Sequence, residues 1–219
     1  MEFLRLFSFC ALFIGASSRK WIVSPTLIGD LHNKIREQYV DTPPLKADYR
    51  LSADAQNCAQ YLLDNPSLDI LTHPCNPGHF GENIYKLFAV SADNEIFQRA
   101  TEIWHDEEKD LPDRSDSLWY LMVNFNNRNK PVGHFIQEVW ALATKVGCGM
   151  ASDDNNVSIV VCRYDKAVNA LGTQLRDNVH LKKQSAINNN CQDTPNFPCT
   201  QDLCANFGDL YCKKSCNKC

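Results

Sequence analysis

The sequence lacks several things, and each absence excludes something. It has no block of basic residues; Lys and Arg total 22 against 26 acidic residues, and the net charge of −4 is not clustered. Nucleic-acid binding usually needs such a block, so that class of partner is set aside. Beyond residue 18, no apolar stretch approaches the roughly 20 residues a membrane helix requires, so the chain reads as not membrane-spanning. No His-Glu-x-x-His is found, and no Ser or Cys nucleophile has an assignable base. The Cys216-x-x-Cys219 pair has no second such pair to complete a zinc site. The final 29 residues hold too little apolar material for a core of their own.

What is present begins with a leader. Arg5 precedes the apolar run Leu6 to Ala16, and the small residues Gly15, Ala16, Ser17 and Ser18 close it. That layout predicts a secretory signal over residues 1–18. Cys10 falls inside it. The remaining cysteines form an even set: Cys58, Cys75, Cys148 and Cys162, then Cys191, Cys199, Cys204, Cys212, Cys216 and Cys219. An oxidising compartment with a disulfide framework accounts for them, so the protein is expected to be secreted and extracellular. Asn156-Val157-Ser158 is a glycosylation sequon in a polar stretch between two β-like runs.

Hydrophobic spacing predicts the elements. Ser24-Pro25 opens a first helix with Leu27, Leu31 and Ile35 as its stripe, and His32 and Arg36 one step round. A second helix is expected from Ser52, as N-cap, to about Asp64. A third runs from about Ala92 to Lys109 with Ile96, Ala100, Ile103 and Trp104 inward. Glu107 lies eleven positions after Ile96, nearly the same helical direction; it either tops the helix at the solvent edge or enters a cleft. His134, beside Gly133, opens a fourth helix whose face is Phe135, Val139, Trp140 and Ala143. Lys145 to Met150 and Val157 to Tyr164 are strand-like and predict a hairpin that brings Cys148 opposite Cys162. A crossed pairing of these two with Cys58 and Cys75 stays open. In the long polar loop from Asp110 to Lys130, Trp119 and Tyr120 are expected anchors. Residues 170–190 read as a linker and 191–219 as a stapled module.

Four segments in order resemble the CAP superfamily, the cysteine-rich secretory, venom-allergen and pathogenesis-related type. They are His32-Asn33-Lys34-Ile35-Arg36, Gly81-Glu82-Asn83-Ile84-Tyr85, Gly133-His134-Phe135 with Gln137 and Val139-Trp140, and Val161-Cys162-Arg163-Tyr164. The resemblance implies an α+β fold, a three-layer α-β-α sandwich over residues 24–169. It also implies a cavity lined by His73, Glu82, Glu107 and His134. His79 competes with His73 for that role, and Leu71-Thr72-His73-Pro74 fits the family segment better. Such a set would hold zinc or another divalent cation, less firmly as the histidines protonate. Ile136 and Glu138 depart from the family, where a Thr and an aliphatic residue are usual.

The C-terminal module resembles the ShK toxin domain through Cys191-Gln192-Asp193-Thr194-Pro195, Cys204 and the ending Cys212 to Cys219. That resemblance implies the bridges Cys191–Cys219, Cys199–Cys212 and Cys204–Cys216. The interval Ala205 to Tyr211 has a Tyr, no Lys and an Asp, which disfavours channel block by an inserted cation. The first reading is a non-enzymatic binding protein whose partners are an extracellular protein, an ion channel, or a lipid or sterol in an apolar groove. The rivals are a metal-dependent hydrolase or protease, and a venom or immune-modulating toxin acting on ion channels.

Overall fold

The computed structural model describes residues 19–76, 80–88, 93–111, 132–168 and 177–183. The leader, His79, the 112–131 loop with Trp119 and Tyr120, and the six cysteines from Cys191 onward lie outside these residues.

The centre is a mixed sheet. β4 (Lys145–Ser152) and β5 (Val157–Tyr164) form the expected antiparallel hairpin, with Cys148 directly opposite Cys162. The two are joined by a disulfide, and Cys58 pairs with Cys75, so the crossed arrangement is excluded. β3 (Gly81–Phe88) pairs antiparallel with β5, from Gly81 against Tyr164 to Phe88 against Val157. On the other side of β4, β1 (Arg19–Ile22) pairs antiparallel and β2 (Lys46–Ala47) parallel, at opposite ends of that strand.

Helices cover both faces. α2 (Tyr49–Asp64) packs on one, where Ala55, Ala59 and Leu62 meet Ile84, Ala151, Ile159 and Val161. It comes very close to β4. A Cβ on Gly149 would sit 2.3 Å from the Gln56 backbone, and the Gln56 amide bonds both the N–H and C=O of Met150. α2 starts three residues before the expected cap. Asp48, not Ser52, receives the free N–H groups of Arg50 and Leu51, and Ser52 is buried inside the helix.

The opposite face carries α1 (Pro25–Arg36), α3 (Asp93–Asp106) and α4 (Gly133–Val139). Here Phe97, Trp104, Phe135, Val139 and Trp140 pack with Met150, Val160 and Tyr164. The buried line of α1 is Ile28, His32, Ile35 and Arg36, with Leu27 and Leu31 only partly covered. Two of the three fully buried positions, His32 and Arg36, are thus polar. They are tolerable because each group is satisfied. The Arg36 guanidinium donates to the carbonyls of Pro43, Glu138, Trp140 and Ala143. His32 Nδ1–H donates to Ile28 O, which leaves Nε2 to accept from the Tyr164 hydroxyl at 3.0 Å.

Candidate metal centre

Two histidine–glutamate pairs flank a cavity of about 540 Å³. The first pair is made at the start of β3. Glu82 faces Arg163 across the ladder, and the Arg163 Nε–H donates to Glu82 Oε2 at 2.8 Å. A second guanidinium N–H donates to Cys75 O at 2.7 Å. Arg163 and the Cys58–Cys75 bridge therefore fix the segment 70–76 against the sheet. That segment is a single 3-10 turn, Ile70–Thr72, closed by His73 in the left-handed region at φ 51°. A non-glycine residue held there costs roughly 1–2 kcal/mol. The backbone presents the imidazole to the carboxylate, with His73 Nδ1 2.9 Å from Glu82 Oε1.

The second pair joins α3 to α4. α3 ends sooner than expected, at Asp106, and Glu107 opens a 3-10 turn. Its carboxylate is buried and turned inward, as the resemblance implies and against its reading as a solvent-edge residue. Glu107 Oε2 accepts the N–H groups of His134 and Phe135 at 3.0 and 3.2 Å, satisfying two free donors of α4. Glu107 Oε1 lies 2.6 Å from His134 Nδ1. The His134 ring stacks on Trp104, 6.0 Å between centroids.

The two pairs have one logic. The carboxylates are 0% and 8% exposed, the imidazoles 39% and 26%. A carboxylate has no proton to give, so each ring donates from Nδ1, and in the neutral ring Nε2 keeps its lone pair. Neither Nε2 has a hydrogen-bond partner among the described residues. A carboxylate behind a histidine is the usual way to fix the tautomer and raise the basicity of a metal-binding nitrogen. The four side chains thus form two pairs; they do not close into one tight group of ligand atoms. Imidazole nitrogen is a metal ligand by type, and the nitrogens left over in the two pairs are the Nε2 atoms of His73 and His134.

The cavity is otherwise largely apolar, with Leu71, Phe80, Val132, Ala167 and Val168 in its wall. Gln137 fixes that wall by donating to Lys166 O and accepting from the Val168 N–H, both at 3.0 Å. Gly81 makes room for it: a Cβ there would lie 2.2 Å from Gln137 Oε1.

Behind the site lies a polar layer the sequence did not announce. Asn83 donates to His134 O at 3.0 Å and to the Tyr164 oxygen at 3.4 Å. Burial lowers the His32 pKa to about 4 and pushes the Tyr164 hydroxyl well up. Glu138 is fully buried and neither carboxylate oxygen has a hydrogen-bond partner among the described residues. Burial, then the charge of Glu107, raises its pKa well above the usual carboxylate range, and Arg36 offsets this in part. The roles of Arg163, Asn83 and Gln137 were hidden because each depends on a register or a close approach that spacing does not encode. His32 also brings a ring nitrogen within 4.8 Å of both Cys148 and Cys162 sulfurs. Those sulfurs are bonded to each other and both His32 nitrogens are engaged, so no ligand is left there.

Comparison with known proteins agrees with this architecture. Scoloptoxin SSD552 of Scolopendra dehaani is 27% identical over 160 residues, 68% of this chain and 71% of the relative. Pathogenesis-related protein 1C of Nicotiana tabacum is 32% identical over 143 residues, 65% of this chain and 75% of the relative. Among solved structures, NaASP2 with Zn2+ aligns at a TM-score of 0.55 and 20% identity, over 80% of this chain and 93% of that one. Na-ASP-1 aligns at 0.57 and 21%, over 80% of this chain but only 45% of that one, which shows a shared fold. The family model described as "Cysteine-rich secretory protein family" matches residues 30–164. With its mixed α+β fold and its venom and pathogenesis-related relatives, the chain belongs to the cysteine-rich secretory protein (CAP) family.

Proposed function

We propose that the protein is a secreted, non-enzymatic binding protein whose cavity holds a divalent cation, zinc by preference, on Nε2 of His73 and His134. One observation carries this: both rings turn Nδ1 to a shielded carboxylate and, among the described residues, leave Nε2 without a partner, and both rings line the same cavity. Imidazole nitrogen is a good zinc ligand, and a two-histidine site leaves positions for water or a further ligand. The zinc in the NaASP2 structure supports the choice of metal. When bound, the ion would supply a Lewis-acidic positive charge. Glu82 and Glu107 would hold the ring orientation.

The hydrolase reading is weaker. A general base must be within reach of the proton it takes. Glu82 and Glu107 are 0% and 8% exposed and already engaged, Glu82 by Arg163 and His73 and Glu107 by two backbone N–H groups and His134, so both carboxylates are shielded behind the rings. Export rests on the leader-like residues 1–18, and a carbohydrate at Asn156 would occupy an exposed turn. The ShK-like stretch 191–219 would add a target-contacting surface; block of a channel current by full-length protein but not by protein truncated at residue 190 would assign that role.

Calorimetric titration of zinc into wild type, His73→Ala and His134→Ala tests the cation site. Each substitution removes one of two protein ligands, so affinity should fall at least tenfold. Equal heats in all three proteins would remove the site.

A further inference from the structure

We propose that the Cys75 sulfur is a thiol–disulfide exchange site for a small external thiol of the glutathione class, and that opening its bridge to Cys58 releases His73 from the cavity. The inference concerns the site proposed for the cation; it rests on the His73–Glu82 contact and not on a bound ion. Access selects the sulfur. Cys148 and Cys162 are both 0% exposed and lie opposite each other inside the β4–β5 ladder. Cys58 is buried on α2, but Cys75 is only partly buried, on a segment whose neighbours Leu71, Thr72 and Pro74 are exposed. An incoming thiolate must reach the sulfur it attacks. One external thiolate attacks Cys75 Sγ, the Cys58–Cys75 bond breaks, and Cys58 leaves as a thiolate that takes a proton from water. A second external thiolate attacks the outer sulfur of the mixed disulfide, and Cys75 leaves and is protonated in turn. Two electrons thus pass from two external thiols, which depart as their own disulfide, to the two cysteines.

His73 lies two residues from Cys75. Its backbone sits at φ 51°, a left-handed conformation that a non-glycine residue keeps only where its surroundings impose it. The hydrogen bonds of the turn itself are local: the Thr72 and His73 N–H groups donate to the Asp69 and Ile70 carbonyls, and the Leu71 N–H to the Asp69 carboxylate. The bridge ties the turn covalently to α2, and Arg163 donates to Cys75 O from β5. Once the bridge opens, that hydrogen bond, the partial burial of Ile70 and the contact with Glu82 are left to oppose relaxation of the His73 backbone. The second pair has no such dependence. His134 stands on α4, and Glu107 accepts from the N–H groups of His134 and Phe135. Reduction therefore withdraws one imidazole and leaves the other, so the cavity is complete only in an oxidising compartment.

The test uses full-length protein in glutathione buffer, with thiols trapped over time by alkylation and located by peptide mapping. Cys58 and Cys75 should be labelled at least tenfold faster than Cys148 and Cys162. Imidazole carbon–proton spectra should show the His73 signals moving in step with that labelling and the His134 signals fixed. Oxidised glutathione should restore the original His73 signals. The Cys58→Ser/Cys75→Ser double variant should show the moved His73 signals with no thiol added, and should bind zinc at least tenfold more weakly than oxidised wild type. If that variant does not fold, the wild-type time course decides. Cys75 left unlabelled, Cys148–Cys162 opening as fast as Cys58–Cys75, or His73 signals unmoved once Cys75 is labelled overturns the proposal. Moving His73 signals without zinc binding to the oxidised protein reject the cation reading and uphold this one; zinc binding to the oxidised protein with His73 unmoved on reduction rejects this inference alone.

Discussion

At the scale of single residues, Glu138 is the point of tension. It is fully buried, its oxygens have no hydrogen-bond partner among the described residues, and its pKa is raised. A group whose folded pKa lies above its unfolded value contributes its full stability below the unfolded value and loses it as pH rises through the folded value. Glu138→Gln keeps the shape and removes the titration. Its advantage over wild type in urea unfolding should therefore be smallest near pH 4.5 and grow toward pH 8. An advantage that does not change with pH would mean the carboxyl has an unseen partner. Sequence reading marked Glu138 only as a departure from the aliphatic residue usual in the family. Burial of an acid leaves no trace in spacing, which records polarity but not depth. His134 was legible for the opposite reason: a histidine beside a glycine at the start of an apolar helix already suggests a cleft.

At the scale of elements, the hairpin and its Cys148–Cys162 bridge could be read directly, since alternation fixes which side chains face each other. The start of α2 could not. Asp48 and Ser52 are both acceptable caps, and contact with β4 decides between them. The closeness of α2 to β4 makes a clear prediction. Gly149→Ala would drive a methyl group into the Gln56 backbone and separate the layers, costing about 1–3 kcal/mol in chemical unfolding. A loss below about 0.5 kcal/mol would show that the helix shifts freely. α1 teaches the same lesson: its stripe was placed one step off because His32 and Arg36 find partners on β5 and around α4 that a helical wheel does not contain.

At the scale of the molecule, the layered α+β fold was legible through the order of four segments, not through any one of them. The division into two pairs was not, because it depends on Arg163 drawing Glu82 and on α4 drawing Glu107. The whole fold should also be acid-sensitive through His32. Its pKa is about 4 folded against 6.5 for the free side chain. Stability from the neutral ring is present above pH 6.5 and is lost as pH falls toward 4, by about 3 kcal/mol in total. His32→Gln should flatten the fall in urea midpoint across that window; an unchanged slope would assign acid sensitivity to other groups.

The strand register gives the molecule two poles. Glu82 stands opposite Arg163 at one end of β5, and Asn156 adjoins the other end at Val157. Six strand steps separate those ends, roughly 20 Å. A bulky sugar on Asn156 would shield one pole and leave the cavity mouth open at the other, so coating and capture could evolve independently on a single sheet.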